Sequence, residues 1–224
     1  MDKPKITPAT EDYLKAIYIL TEEEPPVIAA RVAEEIGVSP STMFSALRRL
    51  DREDYVKIER RKEIHLTTKG KKVAEAILRR HYLTERFLTD LLGLDWVKAH
   101  NEAHRLEHAI SPEVEERLAK ILRHPTTCPH GNPIPNEASA PSRRKGIPLH
   151  SVSAGKEVVL QCISEIGERD DRLLSFLHEH KLIPGAKVRV LDLAPSLGIM
   201  SLKVGDDEFS IGIEAAKKVR VLLR

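Results

Sequence analysis

Between His124 and His150 the hydrophobic periodicity of the chain changes, and that change limits the fold more than any single motif. Six prolines fall there among Ser, Asn and Arg residues. An aperiodic Pro-rich run of about 25 residues reads as a linker and as the clearest domain boundary in the chain. Before it, apolar residues recur at three-to-four spacing, the period of helices; after it they recur in short alternating runs, the period of strands. The 224 residues therefore read as a mainly α fold with α+β parts. A helix-turn-helix region occupies 1–73 and a helical region 74–150, with the linker from about 124. A C-terminal region, 151–224, reads as a small β-barrel with one helix.

In the first region, Thr10-Glu11-Asp12 opens a helix with Tyr13, Leu14, Ile17, Tyr18 and Leu20 at helical spacing, and Pro25-Pro26 ends it. A second helix spans about Ile28 to Ile36, and Gly37 supplies the turn residue that tolerates positive φ. Ser39-Pro40-Ser41 caps a third, Thr42 to about Glu53. Residues 56–59 and 63–66 alternate as a hairpin with the basic tip Arg60-Arg61-Lys62. A long helix runs from Thr68 to about Leu92, and shorter ones begin near Asp95 and at Ser111-Pro112-Glu113. Past the linker, strands at 157–163, 187–193, 199–204, 208–211 and 219–223 accompany a helix at 170–180.

Composition excludes several classes. Two cysteines, Cys128 and Cys162, make no disulfide framework and read as buried thiols or metal ligands. No apolar run approaches the roughly 20 residues that cross a bilayer, and Met1-Asp2-Lys3-Pro4 opens no signal peptide, so a cytoplasmic protein without a membrane partner is expected. Four Phe, four Tyr and one Trp are too few for the stacking platforms that single-stranded nucleic acid prefers.

The net charge of +2 conceals a local excess. Residues 43–72 carry ten Lys/Arg against five Asp/Glu, around a helix-turn-helix spacing at 28–50. A helix that enters the major groove needs a short turn before it, small polar residues at its N-terminus and cations for phosphates. Ser39, Pro40, Ser41, Thr42 and Ser45 supply the first contacts; Arg48, Arg49, Arg60 and Arg61 supply the cations, with Arg52, Lys57 and Lys62 nearby. Duplex DNA is the partner this footprint fits, with shape and thymine-methyl contacts adding to specificity. The alternative is a scaffold with a solvated basic face.

In the segment 100–108, an α-helix sets His100, His104 and His108 successively about 40° apart, with Glu107 about 20° to the other side of His100. His81 and Glu85 form a second pair at i, i+4, and Asp12 begins the first helix. Mixed imidazole and carboxylate ligation suits divalent Mn, Fe, Co or Zn, and a bound metal would offset the cost of burying so many polar groups.

These residues together resemble the diphtheria toxin repressor family of metal-dependent transcription repressors, which includes iron-dependent and manganese-transport regulators. The resemblance runs through Ala9-Thr-Glu-Asp-Tyr-Leu14, the helix-turn-helix and its wing, residues 80–88, residues 102–108, and Cys128-Pro-His-Gly-Asn-Pro-Ile-Pro135. It implies a homodimer with a winged helix-turn-helix domain, a helical dimerisation and metal-binding domain, and an SH3-like domain resembling a ferrous-transport accessory domain. It implies a primary metal site at Asp12, His104, Glu107 and His108, an ancillary site at His81, Glu85 and His100, and, as in a three-domain manganese-type subgroup, a contribution from Cys128 and His130. A third-domain ligand is expected among Glu165, Glu168, Asp170 and Asp171.

Asp12 stands where iron-type relatives carry Met; the harder ligand favours Mn(II) over Fe(II), with Zn(II) or Co(II) as substitutes in vitro. Lys15 stands where two-domain manganese sensors carry Glu, which argues against their closely spaced binuclear site. The expectation is a metal-gated, dimeric repressor of a palindromic operator, with no small organic substrate. The rivals are an Fe(II)-responsive member, a metal-independent DNA-binding scaffold, and a metal-dependent hydrolase. For the hydrolase the chain offers neither an H-E-x-x-H motif nor a Gly-rich phosphate loop.

Overall fold

The computed structural model describes residues 6–59, 62–136 and 146–223. The chain forms two compact units: residues 1–81 with 107–110, and residues 82–106 with 111–224.

The first unit begins with α1 (Pro8–Glu23), started by Pro8 at its first turn and by Thr7, whose side chain accepts from the Thr10 N–H. Helix α2 (Ala29–Ile36) stops at Gly37, whose φ of 74° lets its N–H return to the carbonyls of Ala33 and Glu34. Ser39 then caps α3 (Pro40–Arg52). Met43, Leu47 and Leu50 of α3 are buried, as are Leu14, Ile17 and Leu20 of α1 and Val32 and Ala33 of α2. Strands β1 (Val56–Ile58) and β2 (Ile64–Leu66) pair antiparallel with Lys57 opposite His65. Helix α4 (Thr68–Arg86) follows and contributes residues through His81 to this unit. Each of these elements lies within a few residues of its expected position; the main difference is at the end of α4, where residues 87–91 wind as a π-turn.

The second unit takes the end of α4, α5 (Trp96–Leu106), α6 (Pro112–Ile121) and the C-terminal region. There β3 (Ile147–Pro148), β4 (Glu157–Ile163), β5 (Lys187–Ala194), β6 (Ile199–Val204), β7 (Asp207–Gly212) and β8 (Val219–Leu223) form an antiparallel sheet in the order β3-β8-β4-β5-β6-β7. Three short helices accompany it where one was expected: α7 (Glu165–Glu168), α8 (Asp171–Glu179) and α9 (Ile213–Lys217). The sheet's inward residues, Val158, Leu160, Val188, Val190, Leu202 and Val221, form one core with Leu174 and Leu177 of α8 and with Trp96 of α5.

The Pro-rich stretch is not uniformly a linker. Cys128, His130, Gly131 and Asn132 are buried. The segment is fastened by Cys128 N–H to Asn132 O (2.8 Å) and by Ile163 N–H to His130 O (2.9 Å). Arg86 also donates to the carbonyls of Thr127 and Cys128. Aperiodic backbone can be buried when each polar group finds such a partner. Gly131, at φ 90°, lies so close to β4 that a Cβ there would stand 2.2 Å from the Gln161 carbonyl oxygen.

Candidate metal centres and DNA-reading helix

In the first unit, α1 presents Glu11, Asp12 and Lys15, α4 presents Arg80 and His81, and the 107–110 segment presents Glu107 and His108. Asp12, Glu107 and His108 bring ligand-type atoms within 4.8 Å of one another. Nε2 of His108 lies 3.1 Å from Oδ1 of Asp12 and 3.5 Å from Oε1 of Glu107, while its Nδ1 hydrogen-bonds Glu11 Oε2 at 2.7 Å. That second contact aims Nε2 at the two carboxylates. Glu107 is fully buried. Its Oε1 accepts from Lys15 Nζ at 2.5 Å and its Oε2 hydrogen-bonds His81 Nδ1 at 2.6 Å. Arg80 donates to Glu11 and to the Glu107 carbonyl, both at 3.2 Å. Oδ1 of Asp12 is buried without a hydrogen bond, so this carboxylate oxygen is available to a cation.

In the second unit, Glu85, Cys128, His130 and Glu168, each with 0% exposure, bring their ligand atoms within 4.8 Å. Glu85 comes from the end of α4. Cys128 and His130 come from the fastened Pro-rich segment, and Glu168 from α7 directly after β4. His130 Nδ1 is 3.1 Å from Glu168 Oε2 and 3.5 Å from Glu85 Oε2. His100 on α5 approaches from one side, 2.8 Å from Glu85 Oε1 and 3.7 Å from Glu168 Oε2. The amide of Asn132 holds Glu168 Oε1 and the Ile163 carbonyl, and Trp96 meets the His130 ring edge-on with centroids 4.8 Å apart.

Burial, reinforced by Glu168, pushes the Cys128 thiol far above its usual value, against a lowering influence of the adjacent His130. For His130, burial acts downward, but the carboxylates of Glu168 and Glu85 outweigh it and hold the imidazolium well above the usual histidine range. Neither ring nitrogen of His130, nor Oε2 of Glu168, is in hydrogen-bond geometry. Two buried carboxylates around a poorly bonded imidazole and a thiol make a donor set that a divalent cation fits, in either order of softness.

Of the expected ancillary ligands, Glu85 and His100 come together beside Cys128 and His130, and His81, in the first unit, hydrogen-bonds Glu107. His104 is exposed and falls in the second unit. Of the four C-terminal candidates, Glu168 enters a cluster. Glu165 accepts from Tyr82 Oη at 2.5 Å, Asp170 caps α8, and Asp171 meets Asn101. The contacts of Glu11 and Lys15 were missed; nothing in their spacing distinguishes them from other charges on an amphipathic helix.

On α3, Ser39, Pro40, Ser41, Thr42, Ser45 and Arg48 are exposed. The Ser39 hydroxyl meets those of Ser41 (2.9 Å) and Thr42 (2.8 Å). Arg49 is turned inward, donating to Thr10 Oγ1 at 3.2 Å. Phe44, absent from the expected contacts, is 53% exposed with the Arg48 guanidinium 4.6 Å from its ring centroid. Arg60 and Arg61 lie outside the described residues.

A helix-turn-helix with two clusters of metal-type ligands defines the class as a metal-dependent, DNA-binding regulator. Family models for the N-terminal DNA-binding domain of iron-dependent repressors match residues 5–64, and for their metal-binding and dimerisation domain residues 67–136; a FeoA domain model matches 147–223. The chain belongs to this iron-dependent repressor family, a family of transcriptional repressors and not of enzymes. It is 35% identical to the iron-dependent repressor IdeR of Mycobacterium leprae over 95% of this chain and 96% of that one. It is 34% identical to the diphtheria toxin repressor of Corynebacterium diphtheriae over 82% and 84%. A solved manganese-dependent transcriptional repressor in complex with manganese aligns with a TM-score of 0.88 at 30% identity, over 96% of this chain and all of that one. The protein is thus a divalent-metal-dependent DNA-binding repressor with a dimerisation domain and an SH3-like C-terminal domain. No helix among the described residues is long and apolar enough to cross a membrane.

Proposed function

We propose that the protein is a Mn(II)-responsive repressor of metal-homeostasis genes, with the Asp12, Glu107 and His108 centre as its regulatory site. The observation that carries this reading is the hard donor set: two carboxylates and one imidazole, with Glu107 buried and Asp12 about a quarter exposed (28% for its side chain). Oxygen-rich sites of this kind suit Mn(II) better than softer ions. Its likeness to a manganese-dependent repressor supports Mn(II); its likeness to IdeR keeps Fe(II) as the alternative. His104 stays with this set as an expectation from the family pattern.

The second cluster, Glu85, His100, Cys128, His130 and Glu168, would hold an ancillary ion, with His81 as a further candidate from the family pattern. The chain passes between the two units at 81/82, 106/107 and 110/111. Fixing Glu107 and His108 to Asp12 therefore constrains a segment continuous with α5 and α6, and a metal preference for the DNA-competent arrangement shifts the population toward it.

The proposed modules are 1–73 for DNA, 74–150 for dimerisation and metal, and 151–224 as the SH3-like domain. Ser39, Pro40, Ser41, Thr42 and Ser45 would face base edges. Phe44 would meet thymine methyls, and Arg48, Arg60 and Arg61 phosphates, with Arg49 bracing α3 against α1. A dimer reads a palindromic operator, and the site of action is the cytoplasm, where the DNA is. The test is duplex binding, to sequences selected from a random pool, titrated separately with Mn(II), Fe(II) and Zn(II) and reversed with a chelator. Retention that tracks Mn(II) at the lowest concentration supports the reading; retention indifferent to chelator sinks it.

A further inference from the structure

We propose that Lys15 is an internal competitor for the regulatory metal: its ammonium occupies Glu107 until a divalent ion displaces it, and so sets the metal concentration at which the Asp12, Glu107 and His108 centre fills. The inference rests on the reading of that centre given above.

Lys15 is 6% exposed, and its Nζ lies 2.5 Å from Oε1 of the fully buried Glu107. That oxygen also faces the metal-type atoms, standing 3.5 Å from Nε2 of His108, which is 3.1 Å from Oδ1 of Asp12. The other oxygen, Oε2, is held by His81. Both oxygens of Glu107 are therefore engaged by the chain itself, and the one on the Asp12 and His108 side is engaged by a full positive charge. Asp12 and Lys15, three residues apart on α1, project from one helix face toward the same carboxylate.

An ammonium has donors only and cannot ligate a metal. A dication sharing Oε1 would stand within about 5 Å of Nζ, where a +1 and a +2 charge repel strongly in a partly desolvated site. The ion must therefore take Glu107 away from Lys15, leaving the ammonium to find another partner or water. Metal-free protein keeps Glu107 neutralised by Lys15, and metal-loaded protein releases the lysine. Binding is weakened by the strength of the pair it breaks, which places the response threshold at a higher ion concentration than the bare donor set would give.

The test uses the full chain and Mn(II) alone as probe: calorimetric binding and thermal unfolding for wild type, Lys15→Gln, Lys15→Arg and Asp12→Ala. The Asp12-dependent binding is expected to tighten by roughly tenfold or more in Lys15→Gln and to stay near wild type in Lys15→Arg. Metal-free Lys15→Gln should melt lower than wild type, with a larger Mn(II)-induced rise. In wild type, acylation of Lys15 followed by mass spectrometry should accelerate several-fold when Mn(II) is added, a readout independent of how the variants fold. Lys15→Gln binding no tighter than wild type, or Lys15 acylation unchanged by Mn(II), would overturn the inference. If wild type and Asp12→Ala bind Mn(II) alike, the centre itself is misassigned, which is a distinguishable failure.

Discussion

The two ligand clusters are built from similar residue types but neutralise their charge in opposite ways. In the first unit, Glu107 is paired with Lys15 and His81, and Asp12 and His108 retain partial access to solvent. In the second, Glu85 and Glu168 are fully buried together with Cys128 and His130, and the neutralising charge is the His130 imidazolium. A site that carries its own removable cation near solvent can respond to a changing ion concentration. A sealed site whose protons must leave before an ion enters is suited to hold an ion and support the surrounding packing.

The largest effect that would sharpen this contrast is on stability. His130→Ala leaves two buried carboxylates without their imidazolium, and urea denaturation of the metal-free chain should show a loss of about 3–5 kcal/mol. A loss under about 1 kcal/mol would mean that the cluster is hydrated and not sealed.

Gly131→Ala should come next. Its Cβ would collide with the Gln161 carbonyl and require a φ that L residues disfavour, so a destabilisation of about 1–3 kcal/mol is expected. Metal affinity should fall at the Cys128 and His130 cluster, while Mn(II) binding that depends on Asp12 is unchanged; equal losses at both would break the proposed independence of the two clusters.

Proton coupling separates the clusters on a smaller scale. His130 is held protonated well above its usual range and Cys128 keeps its thiol proton, so an ion entering through these donors releases protons. Affinity at that cluster should therefore rise with pH through neutrality, and calorimetry in buffers of different ionisation enthalpy should register the release. A pH-independent affinity there would show that neither group ligates. The smallest expected effect is a control in the DNA-reading region: Ser39→Ala removes the α3 cap and should cost about 1 kcal/mol by thermal unfolding, with neither metal affinity altered.

Much of the first unit was legible because its signals are local. Gly37 and Ser39 each act within a turn, and apolar spacing fixes which helix faces are buried, whereas α1 starts at Thr7 and Pro8, ahead of the expected Thr10. The His81/Glu85 pair and the 100–108 stripe were legible as ligand types for the same reason. The further partners of these residues were not, because they depend on long-range packing that spacing does not encode: His81 also meets Glu107, and Glu85 meets residues of the Pro-rich segment and α7. The linker reading of 124–150 failed at Cys128–Asn132 because aperiodicity reports the lack of a repeating face and says nothing about individual hydrogen bonds. Arg49 looked like a phosphate contact by composition, yet it reaches Thr10 on α1. Phe44 carries no contact signal in the sequence, because an apolar residue on a helix reads as core until its exposure is known.

The central claim is that the Asp12, Glu107 and His108 centre, and not the sealed cluster, gates DNA binding. Its most direct measurement is the Mn(II) dependence of duplex binding for Asp12→Ala beside Glu168→Gln, followed by fluorescence anisotropy on one selected operator. The account predicts that Asp12→Ala loses the Mn(II) response by at least about a hundredfold in midpoint, a change of about 2.7 kcal/mol, while Glu168→Gln keeps a response of the same sense. A normal response in Asp12→Ala with the response abolished in Glu168→Gln would contradict it.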